Sequence, residues 1–203
     1  REEYMRILIK LYSLRDQGIF DEAEEIDVED ILVPGRLTVI DISEATDDVR
    51  NIVMAHYLDK IFEYKIRNPE SAKIMIVMEE AHTFVSREKR DRMVATVTMI
   101  NELARRGRKR GVCLCFVSQQ PSHLPEEIFE LCNTRIIHKT SSVANIRALE
   151  ESTGGVGREL WESLTGLGKG ESIIISPNFN HAVIMRVRPA ASKRLHVEEV
   201  TIR

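Results

Sequence analysis

The stretch IMIVMEEAH, residues 74–82, decides how this chain is read. Ile74 to Met78 form an unbroken apolar run, and two adjacent carboxylates, Glu79 and Glu80, end it. A continuous apolar run of this length reads as a parallel strand covered on both faces. Carboxylates cannot follow such a strand into a core, because burying an unpaired charge is very costly. They are therefore expected at its carboxyl end, where open α/β sheets place their ligands. A second apolar run, VCLCFVSQQP (112–121), ends in Ser118, Gln119 and Gln120.

Two buried strands that both end in polar side chains suit the magnesium-binding, water-activating half of a P-loop NTPase site. Glu79 is the candidate to hold a magnesium ion beside a nucleotide, directly or through water. Glu80 is the candidate to orient or deprotonate an attacking water. Gln119, at the tip of the neighbouring strand, could bond a γ-phosphate and that water together, with Ser118 as a further nucleotide contact. Gln120 already turns toward Pro121 and is the weaker choice. The plainer readings are a helix N-terminal acidic pair for the glutamates and a polar strand-to-loop transition for the glutamines. The coincidence of the two strand ends favours the functional one.

The other half of such a site is missing from the 203 residues. No segment matches GxxxxGK[ST]. Gly154-Gly155-Val156-Gly157-Arg158 is glycine-rich, but no apolar strand runs into it and no Lys-Ser/Thr follows. It reads as a turn leading into a helix over 157–165.

A basic run, Arg105, Arg106, Arg108, Lys109 and Arg110, broken only by Gly107, precedes the second strand. Such runs usually form solvated faces, and cations at a helix C-terminus complement its dipole. The sharper reading is an arginine finger offered to a neighbouring subunit's nucleotide, Arg105 ahead of Arg108. Phosphate contact with DNA is a third possibility.

Composition sets the bounds. The chain is 43% hydrophobic and 30% charged, as expected of a globular protein, and its net charge of -3 places any nucleic-acid contact in local patches. No apolar run approaches the roughly 20 residues that span a bilayer, and no signal peptide opens the chain, so no membrane association is expected. Three cysteines, Cys113, Cys115 and Cys132, suit a reducing, cytoplasmic setting. Cys113 and Cys115 lie two apart on the second strand and are expected as small core side chains rather than metal ligands. The six histidines show no paired metal spacing; His82 follows the carboxylates and is a candidate for contact with them.

Periodicity predicts helices over 2–17, 47–66, 89–106, 124–131, 142–151 and 157–165, with a mixed acidic stretch over 19–33. Strands are predicted over 37–43, 73–78, 112–118 and 135–139, then a closing antiparallel pair, 171–176 and 182–187. Val49, Ile52, Val53, Tyr57, Ile61 and Tyr64 form the predicted face of one long helix, and Met93, Val94, Val97, Ile100 and Ala104 that of another. The sum is an α/β fold, mostly parallel with helices on both faces, and no domain boundary stands out.

IMIVMEEAHTF, ELARRGRKRGVCLCFVSQQPSHLPEEI, CNTRIIHK, PGRLTVIDIS and SLTGLGKGESIII with MRVRP together resemble the C-terminal part of the HerA ATPases, in the HerA/FtsK branch of the RecA-like P-loop NTPases. The resemblance runs from Pro34 nearly to the end of the chain. It implies that residues 1–203 are the C-terminal part of a RecA-like domain whose Walker A half and N-terminal β-barrel lie upstream. It also implies a hexameric, ATP- and Mg2+-dependent translocase on double-stranded DNA, working with a NurA-type nuclease in DNA end processing. Glu79 would be the metal-side carboxylate, Glu80 the catalytic glutamate, Gln119 the sensor and Arg105, or else Arg108, the trans-acting finger. Glu79 stands where other members of the wider superfamily carry Asp, so its longer arm would act through water. Alone, these residues are expected to have little ATPase activity. Phe84 to Arg92, with Arg87, Lys89 and Arg90, is a candidate DNA-contacting stretch. The alternatives are a related DNA pump of conjugation, packaging or segregation, and a non-catalytic assembly module.

Overall fold

The computed structural model describes residues 2–16, 18, 26–88 and 90–192. Residues 19 to 25 of the acidic stretch over 19–33, and Lys89, lie outside the described residues. The chain divides into two compact units, one up to Pro125 and one from Glu126 onward.

The first unit opens with α1 (Glu2–Arg15) and a single turn, α2 (Val28–Ile31), capped by the Asp27 side chain. Helix α3 (Asp47–Arg67) begins with two acidic residues and ends with Lys65 and Arg67, charges that suit its dipole. It stops at Asn68, whose successor Pro69 cannot continue a helix. Strand β1 (Ile74–Met78), helix α4 (Val94–Arg106) and strand β2 (Val112–Phe116) follow. β1 and β2 pair in parallel, Ile74 opposite Val112 and Met78 opposite Phe116. Gly111, at φ 70°, turns the chain into β2, and a side chain there would press on Lys73.

Helices α3 and α4 pack together through stripes that differ from those predicted. On α3 the buried residues are Val49, Leu58, Ile61, Phe62 and Lys65; on α4 and just before it they are Met93, Thr96, Ile100 and Leu103. Val94, expected in the core, is exposed, and Thr96 takes the inward place because Asn51 satisfies it. The Thr96 hydroxyl donates to Asn51 Oδ1 (2.7 Å), which also accepts the Thr96 backbone N–H (3.1 Å). Lys65 is only 1% exposed. Its ammonium donates to Ser71 O (3.0 Å), Ser71 Oγ (2.7 Å) and Ala72 O (2.9 Å), tying the end of α3 to the approach to β1. Burial lowers its pKa below the ordinary lysine value.

Two expectations fail here. Residues 37–43 form no strand, because a strand needs a ladder partner and β1–β2 is the whole of this sheet among the described residues. Leu37 and Val39 stand exposed. Cys113 is exposed rather than a core residue. It shares one face of the sheet with Met75 and Val77, which are also exposed, so that face lacks the cover predicted for both faces.

In the second unit, α5 (Glu126–Leu131) leads to β3 (Arg135–His138). Then come α6 (Val143–Glu151), capped by Ser142, and α7 (Arg158–Ser163), preceded by Gly157. Gly155 in the left-handed region makes the turn predicted for this glycine-rich stretch. Strands β4 (Glu171–Ile175) and β5 (Val183–Arg186) form the predicted antiparallel pair. β3 joins β4 antiparallel as well, so the parallel pairing expected to dominate is confined to β1–β2, and the antiparallel part has three strands. Ile137, Ile173, Leu164, Leu167 and Trp161 are buried in this unit. The Arg135 guanidinium, its pKa lowered chiefly by burial, donates to the Phe129 (2.7 Å) and Ser152 (2.8 Å) carbonyls and to the Thr153 hydroxyl.

Candidate active site at the ends of the parallel strands

The β1–β2 ladder continues past its regular residues. Val117 N–H donates to Met78 O (3.0 Å), and Ala81 N–H returns to Val117 O (2.8 Å). Between these two bonds the chain must reverse, and Glu80 makes the turn. Its backbone is left-handed, φ 48° and ψ 48°, the sole non-glycine positive φ among the described residues. That conformation costs a residue with a Cβ roughly 1–2 kcal/mol. The Ala81–Val117 bond and a further one from Thr83 N–H to Glu80 O (2.8 Å) hold it in place.

The turn carries the Glu80 carboxylate to the tip of β2. Gln119 Nε2 donates to Glu80 Oε1 at 2.7 Å, joining side chains 39 positions apart. Ser118 Oγ accepts the Gln120 backbone N–H (3.1 Å) and lies 3.2 Å from His82 Nδ1. His82 Nδ1 is also 3.3 Å from Glu80 Oε2. The His82 ring meets that of His123 edge-on, centroids 6.4 Å apart. Glu80, Ser118 and Gln119 are thus brought together, with His82 between the two strand ends.

The other predicted residues stand apart from this cluster of contacts. Glu79 is exposed and makes no hydrogen bond or ion pair to another described residue. Arg105 and Arg108 are exposed, and their side chains have no such partner among the described residues either. Arg106, between them, is occupied: it lies over the Phe62 ring, 5.2 Å from its centroid, and pairs with Glu102. In the candidate DNA-contacting stretch, Phe84, Val85 and Ser86 are buried, which removes them from any surface role. Arg87 Nε donates to Leu124 O (2.9 Å), and Arg87 N–H to His123 O (3.0 Å), fixing this loop against the turn that follows β2.

The donor set fits a magnesium ion of one kind only. Among the described residues no three His, Cys, Asp or Glu side chains converge to make an all-protein cage. A single exposed carboxylate at a strand end suits an ion that keeps most of its waters and takes further ligands from phosphates. Two surface hollows, one along α6 beside Arg147 and one beside Lys139 and Lys169, are lined by none of these residues.

The parallel strand pair, the crossover helix and the polar strand ends give an α/β fold with the architecture of a partial RecA-like core. Solved structures agree. The genome packaging NTPase B204 of Sulfolobus turreted icosahedral virus 2, in complex with ATP-gammaS, superposes with a TM-score of 0.60. It is 14% identical, over 82% of this chain and 74% of that one. No family model matches the chain. Sequence relatives narrow the class: the DNA double-strand break repair helicase HerA of Saccharolobus solfataricus is 32% identical over 180 residues, 86% of this chain and 34% of that protein. HerA of Sulfolobus acidocaldarius is 33% identical over 147 residues, 70% of this chain and 29% of that one. Over most of its length the chain is similar in sequence to HerA proteins. It spans about a third of the length of the curated relatives it matches.

Sequence reasoning missed the left-handed Glu80, the contact of His82 with Ser118 and the approach of His123, while His82 itself was expected beside the carboxylates. A glutamate in a positive-φ turn has no compositional signature, whereas glycine would have. The signal for His82 was its place two residues after Glu80, which only the fold converts into a contact with Ser118.

Proposed function

We propose that this chain supplies the water-activating side of an ATPase site in a protein that moves along double-stranded DNA. The observation that carries the reading is the 2.7 Å bond between Glu80, held in a left-handed turn, and Gln119 at the end of the adjacent parallel strand. A carboxylate and an amide, fixed side by side on the tips of two rigid strands, suit the in-line attack of water on a γ-phosphate. Glu80 orients the water and accepts its proton as the oxygen bonds to phosphorus. The bond to the departing ADP breaks, and Gln119 and Ser118 contact the phosphoryl oxygens. Glu79 would hold Mg2+ through water. The ion, when bound, neutralises charge on the phosphates.

ATP would sit between subunits, with Arg105, or Arg108, reaching a neighbour's phosphates. Their exposure and lack of described partners support that role, and the occupied Arg106 does not suit it. On this reading the assembly is a cytoplasmic hexamer, its phosphate loop lies in a part of the protein beyond these residues, and the work is DNA end resection with a NurA-type nuclease. The 203 residues alone bind ATP poorly. Glu80→Gln in the full-length protein tests the assignment. Hydrolysis is expected to fall by about 100-fold or more while ATP binding stays within a few-fold. Unchanged turnover would remove Glu80 from the base role.

A further inference from the structure

The Glu80 carboxylate has two oxygens with different surroundings. Oε1 accepts from Gln119. Oε2 is shielded from solvent and has no hydrogen-bond partner. A carboxylate oxygen left in that position is unfavourable, since it only accepts and has lost its water. The group that faces it is His82 Nδ1, at 3.3 Å. The same nitrogen faces Ser118 Oγ at 3.2 Å.

The two contacts together select the position of the ring proton. With Nδ1 unprotonated, a nitrogen lone pair would face a carboxylate oxygen, and Oε2 would have no donor at all. With the proton on Nδ1, the N–H lies between two acceptors, Oε2 and the Ser118 hydroxyl oxygen. Ser118 Oγ can take that role while accepting Gln120 N–H, because a hydroxyl has two lone pairs, and its own proton stays available to another acceptor. The His82 side chain is 19% exposed, and Thr83 N–H and Phe84 N–H, bonded to Glu80 O (2.8 Å) and Ala81 O (3.0 Å), fix the turn that carries it.

We propose that His82 is a positioning residue for Glu80. Its Nδ1–H, 3.3 Å from Oε2, faces that oxygen electrostatically while Gln119 is hydrogen-bonded to Oε1, so that both carboxylate oxygens are confined. The inference rests on the reading of Glu80 as the group that acts on water. It adds that the aim of that group depends on the histidine beside it.

Three measurements on the full-length protein test it. His82→Phe keeps the ring and removes the donor; kcat for ATP hydrolysis is expected to fall about 10- to 100-fold, with KM for ATP within about twofold. His82→Asn, whose amide N–H can stand in for Nδ1–H, is expected to regain most of that loss. In the wild-type protein, histidine-selective 15N NMR is expected to show a proton on His82 Nδ1, in contrast to the Nε2–H form common in free histidine. Wild-type kcat in His82→Phe, equal impairment of the Phe and Asn variants, or a ring without a proton on Nδ1 would each overturn the proposal. The place of that proton decides the matter even where a variant fails to fold. If Glu80→Gln itself leaves hydrolysis intact, the reading of the whole site fails. If Glu80→Gln abolishes hydrolysis and His82→Phe does not alter it, only the role of His82 fails.

Discussion

The parallel pair β1–β2 and the antiparallel trio β3–β4–β5 are built from similar apolar strands, yet among the described residues only the first gathers candidate site residues at its ends. The difference lies in connection. β4 and β5 are joined by a short turn, so their adjoining ends meet in residues that serve the turn, such as Pro177 and Asn178. β1 and β2 run the same way and need a crossover through α4, so both carboxyl ends lie at one edge and no hairpin joins them. Glu80, His82, Ser118 and Gln119 occupy that edge. A parallel pair brings together side chains far apart in sequence without joining its strands by a hairpin, and this is why its ends suit a site.

The contrast can be broken in several ways, and the largest expected effect is on rate. Glu80→Gln should cost two orders of magnitude or more in hydrolysis, as set out above, whereas a change in the β4–β5 turn such as Asn178→Ala should leave kcat within about twofold. Next is the reach of the basic run. In assemblies mixed from wild-type and Arg105→Ala subunits, turnover should fall more steeply than the wild-type fraction, because each variant disables a neighbour's site. A strictly linear titration would argue against a trans-acting arginine.

The remaining effects are on stability. Ile173, fully buried at the centre of the antiparallel trio, should cost about 2–4 kcal/mol as Ile173→Ala in urea unfolding followed by circular dichroism. Lys65→Met is expected to cost less, about 1–2 kcal/mol, by leaving Ser71 and Ala72 without their donor. This variant carries a signature in pH. Burial lowers the Lys65 pKa, so between that lowered value and 10.5 the unfolded chain binds more protons than the folded one. The wild-type protein should therefore gain stability as pH rises through that window relative to Lys65→Met. The opposite slope would mean that the ammonium is stabilised by its carbonyl partners beyond the cost of its burial.

Much of this was legible in the residues. The runs Ile74–Met78 and Val112–Phe116 announced themselves as strands because apolar continuity has few other uses at that length. Their polar endings announced a site because charge cannot enter a core. The helices were found to within a few residues, α4 least well, since Met93 continues the apolar spacing without continuing the helix. Residues 37–43 show the limit: their alternation has the period of a strand, but strand formation needs a partner, and periodicity is silent on who supplies it.

By itself the sequence determined the class of fold, the strand ends where chemistry could sit, and the identity of Glu79, Glu80, Ser118 and Gln119 as candidates. These follow from hydrophobic period and the cost of burying charge, both properties of single segments. Only the tertiary structure decided that Glu80 turns left-handed to meet Gln119, that His82 stands between Glu80 and Ser118, and that Arg106 is taken by Phe62 and Glu102 while Arg105 and Arg108 are left exposed. These depend on distances between segments that lie far apart along the chain. Such distances are set by the register of β1 on β2 and the packing of α3 on α4, which no local pattern encodes.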